Sequence, residues 1–291
     1  MPFIAAIAAN IIFGFTIVAV RMLVTETDPF GIAFVRYLFA TAMFLPFLLR
    51  IRWKSIPGKD YVSLIFLGII QFGIFPITYT YSLSLTYASR GAIIFANVPL
   101  LTYLLSCLFR YDRFSILRLL GTVMALIGVA LALGGKVPLE APPTIWVGDG
   151  WMLVTILMGA SYNVLSRPMI QRYPPMTTTS IYFLSGTVFL GLMTIPGGHV
   201  TALSTMESVP WLVLTFAGTV GGGLSYFLFN YALQTIGPTQ VAIFVPLSPV
   251  TAAILSAFWL GEPITVWFVV GLAAVLIGIV LVTNPRLKSS M

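Results

Sequence analysis

The sequence contains very little charge. Only 8% of its residues are charged, whereas 59% are hydrophobic, and its mean hydropathy is +1.02. A soluble domain of 291 residues needs far more polar surface than this composition supplies. The low charge therefore excludes a soluble globular protein and predicts a protein embedded in a membrane.

The sequence also has few of the groups that carry catalysis or redox chemistry. A single cysteine, Cys107, excludes an internal disulfide, and His199 is the only histidine. All eight carboxylates fall between the apolar runs or at their ends, and the signatures HExxH and GxSxG are missing. We therefore expect no enzymatic activity, no metal site and no cofactor.

Apolar runs of about 20 residues follow one another along the chain, and each is long enough to cross a hydrocarbon core of roughly 30 Å. They lie at about 3–24, 30–49, 61–83, 87–109, 115–134, 148–166, 177–196, 209–233, 238–259 and 264–283. Turn-like breaks such as Thr27-Asp28-Pro29 separate them. The pattern predicts an all-α integral membrane protein with ten transmembrane helices.

The second half of the chain repeats the first at an offset of 150 residues. Residues 61–132 align with 211–282 without insertion, and glycines and prolines match in register: Gly68 with Gly218, Gly73 with Gly223, Pro99 with Pro249, Gly121 with Gly271 and Gly128 with Gly278. Because each half holds five crossings, equivalent helices must run in opposite directions. The sequence predicts one transporter domain of two inverted five-helix repeats, 1–140 and 141–291, an organisation typical of secondary transporters.

Basic residues predict the orientation of the protein. Eleven of them share one side of the predicted topology: Arg50, Arg52, Lys54, Lys59, Arg110, Arg113, Arg118, Arg167, Arg172, Arg286 and Lys288. The opposite side has only Arg21, Arg90 and Lys136. The positive-inside rule then places both termini in the cytoplasm, and we expect a bacterial inner membrane. The net charge of +7 reflects this orientation and does not indicate a nucleic-acid partner.

Amide, hydroxyl and aromatic side chains inside the apolar runs are the candidates for substrate binding. Polar groups face lipid only at high cost, so they should turn towards a wet cavity or bond to neighbouring helices. Aromatic rings would suit a large apolar side chain, although ordinary packing is the alternative. The candidates are Asn10, Gln71, Thr78, Tyr81, Asn97, Tyr162, Asn163, Tyr226, Asn230, Phe244 and Ser248.

Arg36 is the one charged residue that lies well inside an apolar run, away from its ends. It could be a counter-ion for a substrate anion, or it could extend to the membrane surface as long basic side chains often do. A phosphate-bearing substrate needs several cations to match its charge. A single arginine therefore favours a neutral or zwitterionic substrate.

Prolines and glycines predict where helices bend. Pro99 and Pro249 interrupt the fourth and ninth runs at equivalent positions, and each removes a backbone hydrogen bond. Pro246 and Gly222 add further weak points. We expect these four residues to act as hinges around a central site. The repeated glycines of the fifth and tenth runs predict close helix packing instead.

The segment Ala92-Ile93-Ile94-Phe95-Ala96-Asn97-Val98-Pro99 and its counterpart Ala242-Ile243-Phe244-Val245-Pro246-Leu247-Ser248-Pro249 resemble helices of a known family. They are similar to the fourth and ninth helices of the drug/metabolite transporter superfamily, in particular of its ten-helix EamA-type exporters. Residues 260–265 resemble that family's acidic turn, whereas Tyr111-Asp112 departs from the Gly-Glu found at 261–262. The resemblance implies export of amino acids or other small metabolites, with one branch acting on aromatic and neutral amino acids.

Together these features predict a secondary transporter in a lipid bilayer, either a monomer or a homodimer. It would move small neutral or zwitterionic metabolites, most plainly amino acids including aromatic ones, out of the cell by alternating access through a midplane cavity. Without an intramembrane carboxylate or histidine, facilitated movement is favoured over proton coupling. The alternative within the superfamily is an exchanger of phosphate-bearing sugars or nucleotide sugars. A membrane scaffold would not need paired midplane prolines.

Overall fold

The computed structural model describes residues 1–24, 27–51, 53–85, 94–134, 145–201, 203, 206–260 and 266–283. Within these ranges the chain forms helices and no strand. Residues 92–93 and 261–265, and the basic residues Arg52, Arg90, Lys136, Arg286 and Lys288, lie outside the described ranges. The helical, multi-pass membrane architecture is confirmed, and the count of ten crossings stays a prediction.

The helices follow the apolar runs. They are α1 (Pro2–Val24), α2 (Pro29–Leu48), α3 (Gly58–Gly68), α4 (Phe75–Leu85), α5 (Val98–Leu108), α6 (Ile116–Gly134), α7 (Ile145–Leu165), α8 (Arg167–Arg172), α9 (Pro175–Thr194), α10 (Ser208–Gly218), α11 (Ser225–Ile236), α12 (Pro238–Ala242), α13 (Leu247–Leu260) and α14 (Val266–Thr283). Among the described residues, five spans are long and apolar enough to cross a membrane: Pro2–Val20, Pro29–Leu48, Gly58–Ser82, Pro175–Thr194 and Ser208–Ile236. Shorter apolar helices accompany them.

Helix α2 begins at a well-formed cap. The Oδ1 atom of Asp28 accepts hydrogen bonds from the backbone N–H groups of Phe30 and Gly31, both at 2.9 Å. Its Oδ2 atom lies 3.0 Å from Nδ1 of His199. Burial opposes ionisation of Asp28, but these hydrogen bonds and the charge of His199 lower its pKa below the usual value. The pair ties the start of α2 to the loop after α9.

Two long helices contain a π-helical segment in the middle. Residues Ile69–Ile74 join α3 to α4, and Thr219–Leu224 join α10 to α11, so the two segments lie 150 residues apart. Pro76 follows the first segment but Tyr226 occupies the matching place after the second, so proline is not their common cause. Such bulges widen the helix and often occur at functional sites.

Glycines bring the helices before these segments against partner helices. A Cβ atom at Gly68 would lie 2.7 Å from the carbonyl oxygen of Tyr182 in α9. A Cβ atom at Gly218 would lie 2.6 Å from the carbonyl oxygen of Arg36 in α2. Helices α3 and α10 therefore make equivalent contacts with α9 and α2.

Helices α2 and α9 also meet each other. The hydroxyl oxygens of Thr41 and Thr187 are 2.8 Å apart, and Thr187 donates to the carbonyl oxygen of Tyr37 at 3.1 Å. Since Thr187 uses its proton on that carbonyl, Thr41 donates to Thr187. This buried contact joins the first half of the chain to the second.

Helices α6 and α14 cross through glycines, as predicted. A Cβ atom at Gly278 would lie 2.5 Å from the carbonyl oxygen of Gly121, and one at Gly128 would lie 2.6 Å from that of Gly271. Because Gly121 faces Gly278 while Gly128 faces Gly271, the two helices run antiparallel. Backbone contact this close is possible only with glycine at the crossing.

The fourth and ninth runs are both broken. A turn at 243–246 separates α12 from α13, and another at 96–97 precedes α5. Pro99 and Pro249 lie in the first turn of the helix that follows each break, where a missing N–H costs no hydrogen bond. Pro246 lies within the turn, and Gly222 lies in the second π segment. The bends therefore start before Pro99 and Pro249, and the hinge role of the four residues stays a prediction.

The Gly278→Ala variant should lose stability, because its new methyl group would collide with the backbone of α6. Overpacking of this kind costs about 1–3 kcal/mol. Gly150→Ala in α7 is the matched control, since nothing lies within 4 Å of its Cβ position, and it should be neutral or about 1 kcal/mol more stable. Thermal unfolding in detergent compares the two, and equal midpoints would contradict the packing described.

Candidate substrate site

Aromatic rings from several helices converge near the π segments. Phe72, in the first segment, has its ring centroid 4.6 Å from that of Tyr226, which follows the second segment. It also lies 4.4 Å from Phe183 of α9 and 5.8 Å from Tyr162 of α7. The wide turns of the two π segments therefore aim side chains at one shared region between the halves.

Tyr226 and several residues of α1, α2 and α4 are only half-buried, so parts of their side chains remain accessible. We name these residues, together with Phe95, the aromatic chamber and treat the set as the candidate site: Phe13, Arg36, Phe75, Tyr79, Phe95 and Tyr226.

Ring contacts link the aromatic members of the chamber in two groups, one around Tyr226 and one around Tyr79. Phe13 of α1 meets Tyr226 edge-on at 4.9 Å. Phe75 and Tyr79 of α4 stack at 6.1 Å, and Tyr79 meets Phe95 edge-on at 5.8 Å. Edge-on and stacked arrangements of this kind form stable apolar walls.

Arg36 carries the only positive charge among the six residues of the aromatic chamber. Its guanidinium carbon lies 4.8 Å from the centre of the Tyr37 ring. Its charge is close enough to the hydroxyl groups of both Tyr79 and Tyr226 to interact with them electrostatically. The Nε atom is buried and has no hydrogen-bond partner among the described residues. This position favours a counter-ion over a side chain extended to the membrane surface.

Gln71 adds a polar atom without a partner. Its Nε2 atom donates to the hydroxyl of Tyr226 at 3.0 Å. Its Oε1 atom is buried and makes no hydrogen bond to the described residues. An amide that is half satisfied beside the aromatic chamber has an acceptor available for a ligand.

Asn230 lies nearby but is fully engaged. The hydroxyl of Tyr162 donates to its Oδ1 atom at 2.8 Å, and its Nδ2 atom donates to Thr179 at 2.9 Å. This buried chain links α7, α11 and α9. Its geometry supports a structural role for the Tyr162–Asn230 pair.

Other predicted candidates form bonds between helices. Ser248 donates to Asn10 at 3.2 Å, and Asn10 donates to the carbonyl oxygen of Ala6. Thr155 donates to Thr78 at 2.9 Å, and Asn163 donates to Thr102 at 3.2 Å. These contacts match the interhelical alternative stated for such residues.

Three candidates lie apart from the aromatic chamber. Tyr81 is 42% exposed and packs edge-on against Trp151 at 5.6 Å. Asn97 donates to the carbonyl oxygen of Ile94 at the turn before α5. Phe244 is buried against Phe3, with ring centroids 6.2 Å apart. None of these contacts brings its residue to Arg36 or Tyr226.

A π turn holds more residues than an α turn, so it shifts the side chains that follow it around the helix axis relative to those that precede it. Gln71 lies within the first π segment, whereas Tyr79 and Tyr81 follow it in α4. In α4, the Tyr79 ring stacks on Phe75 and the Tyr81 ring packs against Trp151.

A separate group of polar contacts lies at one end of the bundle. Asp112, after α5, accepts hydrogen bonds from Arg118 at 3.0 Å and Thr239 at 2.6 Å. The guanidinium of Arg167 lies over the Tyr111 ring at 4.8 Å. We name these five residues, with Asp60, Arg172 and Tyr173, the loop cluster.

Asp60 completes the loop cluster at the start of α3. It accepts two hydrogen bonds from Arg172, at 2.7 and 2.9 Å, and another from the hydroxyl of Tyr173. The hydrogen bond to Asp60 raises the pKa of Tyr173, because the neutral phenol is the better donor to a carboxylate. Through α8 the loop cluster joins helices from both halves.

The groove between α6 and α14 is not a candidate for a polar site. It has a volume of about 510 Å³ and is lined by apolar side chains, among them Leu117, Met124 and Leu281. In the described ranges no group of three or more His, Cys, Asp or Glu side chains could hold a metal ion. Among the described residues, the two groups that we consider further as functional sites are the aromatic chamber and the loop cluster.

Tyr162→Phe should lower stability by about 1 kcal/mol, because it leaves the buried Oδ1 atom of Asn230 without its donor. Tyr182→Phe is the matched control, since the buried Tyr182 hydroxyl has no described partner, and its removal should be neutral or stabilising. Thermal unfolding without ligand measures both. A larger loss in Tyr182→Phe would refute this assignment of the hydrogen bonds.

Several known proteins are similar to this chain in sequence. Residues 1–134 and 146–284 each match the EamA-like transporter family. An uncharacterized transporter of Bacillus subtilis, YyaM, is 30% identical over 78% of this chain and 74% of its own length. An uncharacterized transporter of Archaeoglobus fulgidus is 24% identical over 94% and 95%, and a WAT1-related protein of Arabidopsis thaliana is 24% identical over 84% and 68%.

A solved crystal structure shares the fold, with a TM-score of 0.82 over 98% of each chain and 18% identity. The family model accounts for both halves of the sequence and not for one segment alone. The chain therefore belongs to the EamA-like transporter family, within the drug/metabolite transporter superfamily, and is a multi-pass membrane transporter and not an enzyme.

Proposed function

We propose that this transporter exports small neutral or zwitterionic metabolites, chiefly amino acids that include aromatic ones, through the aromatic chamber. The observation that carries this proposal is the combination of aromatic walls, one guanidinium and one unpaired amide oxygen. Aromatic walls bury a large apolar side chain, and a few polar groups fix its orientation.

The charge of the aromatic chamber supports this substrate class over the phosphate-bearing alternative. A phosphate group needs two or more cationic donors for its charge. Arg36 is the only cation among the chamber residues named above, and the other basic groups with described ion pairs, Arg118, Arg172 and His199, lie in loops or at helix ends. The single positive charge of Arg36 balances the single negative charge of a carboxylate.

An inverted repeat of five helices in each half supports alternating access. The π segments are 150 residues apart, equivalent glycines contact partner helices, and α6 runs antiparallel to its counterpart α14. The family model matches twice, at 1–134 and 146–284. These observations support ten crossings with repeats at 1–140 and 141–291, and an inverted pair can expose a central site to either side.

The loop cluster is our candidate for the cytoplasmic gate. It joins the ends of α5, α8 and α12 with the start of α3, so opening that side requires its hydrogen bonds to break. Pro99, Pro246, Pro249 and Gly222 lie at the helix breaks, where a bend changes the fewest backbone hydrogen bonds. Movement at these breaks would open the aromatic chamber.

Counterflow of labelled phenylalanine in proteoliposomes at equal internal and external pH tests the substrate class. The wild-type protein should accumulate the label, and Tyr79→Ala should lower the rate at least about tenfold, which corresponds to 1.4 kcal/mol of lost binding. Tyr81→Ala, two residues away against Trp151, is the control and should keep the rate. Counterflow of a sugar phosphate in place of the amino acid would establish the alternative.

Cysteine labelling tests the orientation. In a Cys107→Ser background, Lys59→Cys should react with a membrane-impermeant maleimide only after the cells are opened, because Lys59 is predicted to be cytoplasmic. Thr201→Cys, in the loop after α9, should react in intact cells. The reverse pattern would refute the proposed location of the termini.

A further inference from the structure

Arg36 is a membrane-embedded charge without a counter-charge in the described structure. It is the eighth residue of α2, about 10 Å along a helix that spans the membrane. The ion pairs of Asp28, Asp60 and Asp112 do not include it. Its described contact is the face of the Tyr37 ring, and its buried Nε atom has no partner.

An unpaired guanidinium at this depth is expensive. Removing a charge from water costs several times what one aromatic contact returns, so the ring of Tyr37 offsets only a part. A bound anion would offset the rest of this desolvation free energy. A guanidinium is planar and presents its donors as a fork, and this shape fits the two oxygens of a carboxylate.

The surroundings of Arg36 restrict the rest of the ligand. Phe75, Tyr79, Phe95 and Tyr226 provide apolar faces, which favour an aromatic or large aliphatic group. The unpaired Oε1 atom of Gln71, whose amide is held by Tyr226, can accept a hydrogen bond from an ammonium group. No second cation is available among these residues for a dianion.

We propose that Arg36 anchors the carboxylate of the transported molecule, while its apolar group stacks in the aromatic chamber. This inference rests on the proposed function, because it assigns a chemical requirement to the same site. The ligand class is a monocarboxylate with one large apolar side chain, and an ammonium group is accepted but is not the anchor. Arg36 is then a specificity-determining residue.

Three probes of one shape separate the contributions: phenylacetate carries only the carboxylate, phenethylamine only the ammonium, and phenylalanine both. We expect the purified transporter in detergent to bind phenylalanine and phenylacetate, measured by calorimetry, and phenethylamine at least about tenfold more weakly. Arg36→Gln should weaken phenylacetate binding at least about tenfold, and Arg36→Lys should lose less than Arg36→Gln. Arg50→Gln removes an exposed arginine just after the end of the same helix, outside both the aromatic chamber and the loop cluster, and should leave phenylacetate binding unchanged.

Binding of phenethylamine as tight as that of phenylacetate would overturn the anchor, and so would unchanged affinity in Arg36→Gln. If Arg36→Gln does not fold, the comparison of probes on the wild-type protein decides alone. No binding of phenylacetate by the wild type also overturns it. Binding that depends on Arg36 without phenylalanine counterflow would support Arg36 as the carboxylate anchor and refute amino-acid transport. Phenylalanine counterflow that is intact in Arg36→Gln would support amino-acid transport and refute Arg36 as the anchor.

Discussion

The rest of the structure depends on one constraint: no backbone N–H or C=O group can be left unpaired in lipid. Helices satisfy it automatically, so each break needs substitute bonds. At 96–97 the N–H of Asn97 donates to Ile94 at 3.0 Å, and near 243–246 Val245 and Ser248 donate to residues three positions earlier at 2.9 and 3.0 Å. These tight turns keep the broken helices paired while they change direction.

Close packing protects the breaks from lipid. Gly14 of α1 lies against the carbonyl oxygen of Ser248, just after the break in the ninth run, and a Cβ atom there would be 2.8 Å away. Gly68 and Gly218 shield the entries to the π segments in the same manner. At these breaks in the described ranges, the irregular backbone is therefore packed against neighbouring helices. The glycines that allow this packing are one result of the constraint.

The sequence was sufficient for the apolar runs, the broken fourth and ninth helices and the glycine crossing of α6 and α14. Each depends on a local property, either hydropathy or the absence of a side chain or of an N–H group. The π segments have no such signature, and they shift the side chains on either side of them relative to each other in a way that a regular period of 3.6 residues does not predict. Polar residues such as Asn230 were located correctly as interior groups, but their partners are set by tertiary contacts 51 and 68 residues away.

Each half of the chain makes the same glycine–carbonyl contact with the other half, yet the side chains of the candidate site differ between the two halves. The carbonyl oxygens of Arg36 and Tyr182 approach the equivalent glycines Gly218 and Gly68, so the two residues occupy matching places in α2 and α9. Each has a buried polar atom without a described partner, but one is a cation and the other a phenol. A symmetric pair would receive a ligand equally well in two orientations. Because only one side is charged, the carboxylate that we propose as the ligand group would have one preferred direction in the site.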